Sequence, residues 1–315
     1  MLIRFLKNWT LPVAMLTGAL AYLFLAHVSW VAPVKPFVHE LVAWLAPLLI
    51  FAQLFLTFCR IDVRELRPRR WHAWLLLFQL VACLSVSALL LLCPLSEVYR
   101  VLFEGAMVCL ICPTATAAAV ITAKLGGSAA TLTTYTLLSN LLAAVMVPLL
   151  FPLIEPHEGL TFWLAFLKIL GRVFPLLLCP FFLACLLKWQ LPKVHARLRE
   201  WHEVAFYMWG IALAIVTGQT VRSLVNSEAS LHVELLIALA GLITCIVQFA
   251  WGKHLGTLYG ERISAGQALG QKNTVLAIWM AYTYLQPLSS VAPGSYVLWQ
   301  NIINSWQLWK QQKRR

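Results

Sequence analysis

Four consecutive polar side chains stand at the head of an apolar segment: Gln271, Lys272, Asn273 and Thr274, in the sequence GQKNTVLAIWMAY at 270–282. A lysine at the centre of a membrane costs about 2.5–3.5 kcal/mol, so it needs a polar partner or water around it. Its ammonium can take the place of a bound cation, and the amide and hydroxyl groups beside it can bind a polar ligand. The alternative is that Lys272 lies near the membrane edge and extends to the lipid headgroups.

The composition indicates that this segment belongs to a membrane protein. The 315 residues are 61% hydrophobic and 11% charged, which is more apolar surface than a soluble domain of this length can bury. Apolar runs of about 17–25 residues, long enough to cross a bilayer as helices, recur throughout the chain, and we predict about ten of them. They lie near 10–31, 38–58, 72–93, 98–123, 129–154, 161–187, 203–221, 232–251, 264–286 and 293–309. The sequence thus predicts an all-α polytopic membrane protein with a single transmembrane domain over 1–315.

The basic residues are concentrated in alternate loops. The net charge is +12, and most of the 24 Lys and Arg residues fall on the side that also holds Arg4 and Lys7. The opposite side is richer in glutamate, which is the asymmetry of the positive-inside rule. We therefore predict that both termini are cytoplasmic and that the protein resides in a plasma membrane or bacterial inner membrane. The orientation of the chain in the bilayer explains where the basic residues lie, so no nucleic-acid partner is expected.

The fourth and ninth spans are interrupted. The fourth contains Pro113 and a row of threonines and alanines, and the ninth contains Gly266, Gly270 and the polar cluster around Lys272. Proline and glycine leave backbone groups that lipid cannot satisfy, so such segments must be buried in protein or line a wet cavity. A proline kink and a glycine packing face are the simpler alternative. Two interrupted spans at matching places nevertheless favour a transporter site at the membrane midplane.

Ten spans divide into two sets of five near the loop EPHEGL at 155–160. Because each set has an odd number of spans, the second set enters the membrane from the opposite side. The sequence therefore predicts two inverted repeats, over 1–157 and 158–315.

Three segments resemble a known family, the bile acid:sodium symporters. CPTATAAAV at 112–120, with the GGSAATLTTYTLL that follows it, resembles the family's fourth and fifth helices. ALGQKNTVLA at 268–277 is similar to its ninth helix, and PGSYVLWQNI at 293–302 to its tenth. The resemblance implies a panel of helices 1, 2, 6 and 7 and a core of helices 3–5 and 8–10, in which the broken fourth and ninth helices cross. It also implies alternating-access transport of a small organic anion with sodium.

The positions that match the family's sodium ligands depart from its pattern. Sodium needs oxygen ligands, as other hard cations do, and an alanine side chain offers none. The matching residues are Ala118 and Ala119 in the fourth helix, Leu132 and the retained Thr136 in the fifth, the retained Gln79 in the third, and Ala268 and Lys272 in the ninth. The resemblance with these departures predicts an organic-anion carrier that has lost its sodium sites and needs no other cofactor. It would act as a uniporter or couple to protons, with Lys272 replacing a cation.

The remaining candidate residues fall into two groups. By the resemblance, the substrate contacts lie at the crossover: Thr114, Thr116, Asn273, Thr274, Gln300 and Asn301. Lys168 and Arg172, four residues apart in the sixth span, either attract an anionic substrate or pair with an acidic residue of another helix. Glu104, in the outer half of the fourth span, either pairs with Arg100 one turn away or takes part in proton coupling.

Three other classes of protein remain as alternatives. A cation/proton antiporter would rely on intramembrane aspartates, whereas the only aspartate, Asp62, lies in a basic loop. An intramembrane enzyme would need a nucleophile and base or a metal cluster at membrane depth, and none of His72, His195, His202 or His254 lies deep in a span. Cys109 and Cys112 have CxxC spacing without a second pair of ligands, so a packed thiol pair is the simpler interpretation. A receptor or scaffold that does not transport would also be compatible with lost ion sites.

Overall fold

The computed structural model describes residues 10–28, 33–61, 64, 66–156 and 159–313. Within these residues the chain is all-α, as the composition predicts, and contains no strand beyond one isolated bridge between Thr114 and Lys272. The helices are α1 (Thr10–His27), α2 (Lys35–Phe58), α3 (Arg70–Leu92), α4 (Glu97–Ile111), α5 (Ala118–Lys124), α6 (Ala129–Ile154), α7 (Phe162–Gln190), α8 (Pro192–Arg199), α9 (His202–Val225), α10 (Leu231–Leu258), α11 (Arg262–Gly270), α12 (Thr274–Tyr284) and α13 (Val291–Gln312). A 3₁₀ turn, Pro287–Ser290, precedes α13.

Six of these helices are long and apolar enough to cross a membrane on their own. They are α2, α3, α6, α7, α9 over Glu203–Val225, and α10. The helix α1 contains a shorter apolar stretch, Pro12–His27. The predicted fourth and ninth spans are each divided into two short helices, α4 with α5 and α11 with α12, and the tenth corresponds to the more polar α13. An integral membrane protein is therefore supported, while the number of ten spans stays a prediction.

The chain divides into two compact units. One unit contains Met1–Arg60 and Cys179–Glu228, and with them α1, α2, the second part of α7, α8 and α9. The other contains Ile61–Leu178 and Ala229–Arg315, and with them α3–α6, the first part of α7 and α10–α13. The resemblance assigned the same helices to a panel and a core, except that here the sixth predicted span, α7, is shared between the units.

Two sequence predictions fall on residues outside the described ranges. The boundary between the predicted repeats, 157/158, is one of them. The other concerns Arg4, Lys7, Arg314 and Arg315, four of the many basic residues from which we predict that both termini are cytoplasmic. Asp62 also lies outside these ranges.

Glycines allow α10 and α11 to approach each other closely in the second unit. A Cβ added to Gly252 would lie 2.6 Å from the carbonyl oxygen of Ala265, and one added to Gly256 would lie 2.7 Å from that of Glu261. Since α11 leads directly into the polar cluster at Lys272, this contact fixes the position of the ninth span relative to α10.

Gly252→Ala should therefore destabilise the protein. We expect the free energy of unfolding to fall by about 1–3 kcal/mol, because the added methyl group meets backbone that cannot turn away. Unfolding in mixed micelles measures the change. Gly171→Ala in α7 is the matched control, since a Cβ there meets no atom within 4 Å. In that helix the alanine should leave stability unchanged or raise it by about 0.5–1 kcal/mol. Equal effects at the two sites would contradict the close approach.

Candidate functional site

The interruptions of the two broken spans lie against each other. The helix α4 ends at Ile111, two residues before Pro113, and α11 ends at Gly270. Between the two gaps, the backbone N–H of Ala115 donates to the carbonyl of Gln271 at 2.8 Å, and the N–H of Asn273 donates to the carbonyl of Pro113 at 2.9 Å. The exposed backbone of each gap is thus partly satisfied by the other, which is how irregular backbone can exist inside a membrane protein.

Lys272 lies at this crossover and is fully buried, with 1% of its side chain exposed. Its Nζ donates to the carbonyl oxygen of Leu110 at 3.3 Å, and its backbone N–H donates to Oε1 of Gln300 at 2.9 Å. The carbonyl of Leu110 belongs to the last turn of α4, where the helix dipole favours a cation. The interpretation that Lys272 extends to the lipid headgroups does not fit this buried position.

Gln79 also donates hydrogen bonds at this end of α4, to carbonyls other than the one that Lys272 contacts. Its Nε2 donates to the carbonyls of Ile111 and Cys112, at 2.8 and 3.2 Å, and its Oε1 accepts a hydrogen bond from the hydroxyl of Tyr135 at 3.0 Å. Gln79 and Tyr135 are both completely buried. Gln79 and Lys272 thus satisfy neighbouring carbonyls at one end of α4.

A second glutamine and tyrosine, which the sequence reasoning missed, complete this arrangement. Nε2 of Gln248 in α10 donates to the carbonyl of Cys109 and to the hydroxyl of Tyr296, each at 3.2 Å, and the hydroxyl of Tyr296 donates to the carbonyl of Gly270 at 2.7 Å. The ends of α4 and α11 are thereby joined through one side-chain pair. A glutamine inside the otherwise apolar eighth span, in the sequence IVQFAW, was the available signal.

Thr114 is buried in the interruption of the fourth span. Its hydroxyl donates to the carbonyl of Ala268 at 2.6 Å, and its N–H donates to Oγ of Ser139 at 3.2 Å. Thr116 is half-buried in the turn that precedes α5. Thr114 therefore links the gap to the end of α11 and to α6.

The other predicted substrate contacts lie in the ninth and tenth spans. Asn273 is half-buried and caps α12, with its Oδ1 accepting from the N–H of Leu276 at 3.3 Å. Thr274 and Gln300 are buried, and Nε2 of Gln300 lies 3.5 Å from the hydroxyl of Thr274. Asn301 bonds within its own helix, to the carbonyl of Val297. The structure thus gathers Thr114, Asn273, Thr274 and Gln300 around Lys272, while the amide nitrogen of Asn301 is used within α13.

Three of the positions that match sodium ligands lie in one apolar cluster. Ala118, Leu132 and Ala268 are each completely buried and pack together with Tyr135 and Trp71. Two further positions lie beside them: Ala119 packs on the cluster's edge, and the hydroxyl of Thr136 donates to the carbonyl of Leu132 at 3.1 Å. The side chains of these three cluster residues are hydrocarbon only, so they offer no oxygen to a cation.

Glu104 lies away from the crossover, in a small charged group. It is completely buried, and its Oε1 lies 3.6 Å from Nε of Arg100, which also donates to Oε1 of Glu155 at 3.0 Å. Oε2 of Glu104 accepts from the backbone N–H of Gln286 at 3.2 Å. The pairing with Arg100 is therefore present, together with a second carboxylate that the sequence did not predict.

Lys168 and Arg172 are exposed on α7. Among the described residues, neither has an acidic side chain within ion-pair distance, so the predicted structural ion pair is not found there. The structure does not bring them to the residues around Lys272 through any hydrogen bond of the described chain.

The chain matches the sequence model of a known protein family. Residues 47–250, more than half of the chain, match the sequence model of the Sodium Bile acid symporter family. The match includes Gln79, the interruption at Pro113 and Gln248, and it ends before Lys272. A search of the curated proteins found no significant match.

Proposed function

The chain belongs to the sodium bile acid symporter family, and from this we propose that it is a secondary transporter that carries a small organic anion by alternating access without sodium coupling. Membership makes it a membrane transporter of the bile acid symporter type. The residues at the crossover support the rest of the proposal, and the single observation that carries it is the buried ammonium of Lys272 at the end of α4.

Matched features in the two halves support the ten-helix inverted repeat. The interrupted helices α4–α5 and α11–α12 occupy the same place in each set of five predicted spans. Each set also supplies a glutamine from its third span and a tyrosine from its fifth, Gln79 with Tyr135 and Gln248 with Tyr296, and the members of each pair are hydrogen-bonded. Such a correspondence is expected when two repeats cross at the midplane.

Three residues at positions that match the family's sodium ligands do not fit a sodium ion. Ala118, Leu132 and Ala268 supply no side-chain oxygen, and they lie in one buried cluster with Trp71 and Tyr135. A hard cation placed there would lose its hydration shell without a side-chain oxygen to replace it, and the carbonyls of Leu132 and Ala268 already accept hydrogen bonds from Thr136 and Thr114. No transport step is therefore assigned to sodium at these positions.

At Lys272 and Gln79, two further positions that match the family's sodium ligands, the protein supplies its own cation. The ammonium of Lys272 faces the carbonyl of Leu110, and the retained Gln79 already accepts the hydroxyl of Tyr135 and donates to two carbonyls. A sodium ion would meet a positive charge a few ångströms away and a glutamine whose groups are engaged. In our proposal the positive charge of Lys272 stabilises the negative end of α4 permanently, whereas a bound cation would do so only while it is bound.

The substrate would bind beside this charge. Thr114, Asn273, Thr274 and Gln300 offer hydroxyl and amide groups around the gaps, and the first turn of α12 presents backbone N–H groups that favour an anion. A carboxylate or sulfonate is the group that matches these donors. Coupling is then either absent, as in a uniporter, or provided by protons.

Two measurements test the absence of sodium coupling. A site filled at 100 times its dissociation constant would stabilise the folded protein by about 2.7 kcal/mol. For a chain of this size that shift is several degrees, so we expect the unfolding temperature in sodium chloride and in choline chloride of equal concentration to agree within about 1 °C. In proteoliposomes, uptake of cholate should be the same with an inward sodium gradient and with an inward choline gradient.

The outcomes separate the competing functions. A sodium-dependent increase in both unfolding temperature and uptake would overturn the proposal. Uptake that follows an imposed proton gradient would identify proton coupling, and uptake indifferent to both gradients a uniporter. Binding of cholate without any uptake would favour a receptor or scaffold over a carrier.

A further inference from the structure

Two carboxylates of the second unit share a single cation. Nε of Arg100 lies 3.0 Å from Oε1 of Glu155 and 3.6 Å from Oε1 of Glu104. The Nη2 group of the same guanidinium donates to the carbonyl of Ile154. Because both glutamates lie on one nitrogen atom, their carboxylates occupy the same small space. With both of them ionised, the three side chains carry one excess negative charge.

Glu104 is the member of this group that is least able to carry the excess charge. It is 0% exposed, whereas the side chains of Arg100 and Glu155 are 33% and 25% exposed. Oε2 of Glu104 accepts a hydrogen bond from the backbone N–H of Gln286 at 3.2 Å, but Oε1 makes no hydrogen bond within the described chain. A carboxylate that is shielded from water needs more donors than this to remain ionised.

The helices that pack on α4 bring no second cation to this carboxylate. The charged groups that face Glu104 are Arg100 on its own helix and Glu155 at the end of α6. The connection between α12 and the 3₁₀ turn contributes only the N–H of Gln286. Within the described chain, α3, α10 and α13 add no charged group at Glu104. One positive charge therefore opposes two negative charges.

We propose that Glu104 and Glu155 bind one proton between them, and that this is the proton whose binding and release couple to transport. With the proton on Oε1 of Glu104, the hydroxyl donates to the carboxylate of Glu155, and Arg100 neutralises Glu155. Oε2 of Glu104 keeps its bond to Gln286, and the oxygen that had no hydrogen bond gains one. The proton site stands on this geometry alone, whereas its coupling role rests on the proposed function.

The proton site is connected to the crossover through α4. Glu104 lies seven residues before Ile111, the last residue of α4, which is about 10 Å along the helix axis. The carbonyl of Leu110, in the last turn of the same helix, accepts the ammonium of Lys272. Release of the proton restores repulsion between Glu104 and Glu155. This repulsion acts on the helix whose other end holds the charge at the crossover.

Infrared spectroscopy of the full-length protein in detergent at about pH 7 tests the proton site, because an ordinary glutamate is ionised at that pH. The wild type should show the C=O absorption of one protonated carboxylic acid. Glu104→Gln and Glu155→Gln should both lose it, since a shared proton needs both carboxylates. Glu97→Gln, at an exposed glutamate in the first turn of α4, should keep it.

Glu104→Gln is the informative variant because glutamine has the shape of a protonated glutamate and can still accept the N–H of Gln286. It should therefore fold as the wild type does. A wild type without the absorption, or a Glu104→Gln protein that retains it, would overturn the proposal. Loss of the absorption in Glu104→Gln but not in Glu155→Gln would overturn the sharing of the proton between the two residues.

Uptake of taurocholate into proteoliposomes tests the coupling role. Its sulfonate stays ionised, so it does not follow a pH gradient through lipid by itself. A gradient of about one pH unit, acid outside, should raise its accumulation by up to about tenfold in the wild type and in Glu97→Gln. Glu104→Gln should lose this increase but should still exchange external for internal taurocholate, because exchange requires no net release of the proton.

The two arms fail separately. Accumulation that responds to the gradient in Glu104→Gln as in the wild type, or that responds in neither, would overturn the coupling role, whereas the infrared absorption alone decides the proton site. Sodium-dependent uptake would overturn the proposed function without changing that absorption.

Discussion

Lys272→Ala should lower cholate uptake in proteoliposomes by at least about tenfold, in sodium and choline buffers alike, which corresponds to about 1.4 kcal/mol of lost stabilisation along the transport cycle. The ammonium is the donor that the structure assigns to the carbonyl of Leu110. Without it, a buried carbonyl at the negative end of α4 has no partner, and the crossover has no positive charge to hold an anion. A cavity replaces the lysine stem as well.

Three further variants separate these causes. Lys272→Met keeps most of the volume and removes the charge, so it should transport as poorly as the alanine variant if charge is what matters. Lys272→Arg keeps the charge and should retain part of the activity, although a guanidinium differs in shape from an ammonium. Lys124→Ala removes one positive charge from an exposed position, as Lys272→Ala does from the buried one, and should transport at the wild-type rate.

The variant Lys272→Gln bears directly on sodium. It replaces the ammonium by an amide whose oxygen can bind a cation, but the side chains of Ala118, Leu132 and Ala268 still supply no oxygen. Sodium should therefore fail to stimulate its uptake. Sodium-stimulated uptake by this variant, or uptake by Lys272→Ala that requires a sodium gradient, would refute the role we assign to the lysine.

The sequence was sufficient to predict where the helices are interrupted. Proline lacks an N–H donor and its ring collides with the preceding turn, so Pro113 predicts the end of α4 within two residues of its observed end at Ile111. In the ninth span, the polar cluster and Gly270 likewise predict the gap between α11 and α12. These are local rules of backbone chemistry, and they need no knowledge of tertiary contacts.

The partners of the buried polar groups could not be predicted in the same way. Lys272 and Leu110 are 162 residues apart, and Gln248 and Cys109 are 139 apart. A glutamine in an apolar span indicates that some partner exists, because burial without one is unfavourable. It does not say which of many carbonyls is the partner. For this reason the sequence indicated Gln79 and missed Gln248, although the side-chain amides of both donate to carbonyls at the C-terminal end of α4.

Gln79→Leu should be the most destabilising single substitution at the crossover, with a loss of about 2–4 kcal/mol in the free energy of unfolding, since each buried polar group left without a partner costs about 1–3 kcal/mol. The substitution removes the donor to the carbonyls of Ile111 and Cys112 and the acceptor of the Tyr135 hydroxyl. Unfolding in mixed micelles gives the value, and the gain from a more apolar side chain only partly offsets it.

Gln53→Leu is the matched control, since it makes the same change at a buried glutamine of another membrane helix. Gln53 is 7% exposed, and its bond to the carbonyl of Met208 is 3.5 Å long. A single long bond should be worth no more than about 0.5–1.5 kcal/mol. A larger loss at Gln53 than at Gln79 would contradict the role of Gln79 at the end of α4.

Tyr135→Phe, alone and combined with Gln79→Leu, tests whether Gln79 and Tyr135 form a stabilising hydrogen-bond network or whether Gln79 is only the remnant of an ion site. In a network the hydroxyl of Tyr135 has already lost its acceptor in the Gln79→Leu protein, so removing the hydroxyl as well should cost less than in the wild type. If Gln79 were only a remnant, leucine would add apolar packing and stabilise the protein, and the two effects would add. Less-than-additive losses would show instead that Gln79 stabilises the helix end whose negative pole also holds Lys272.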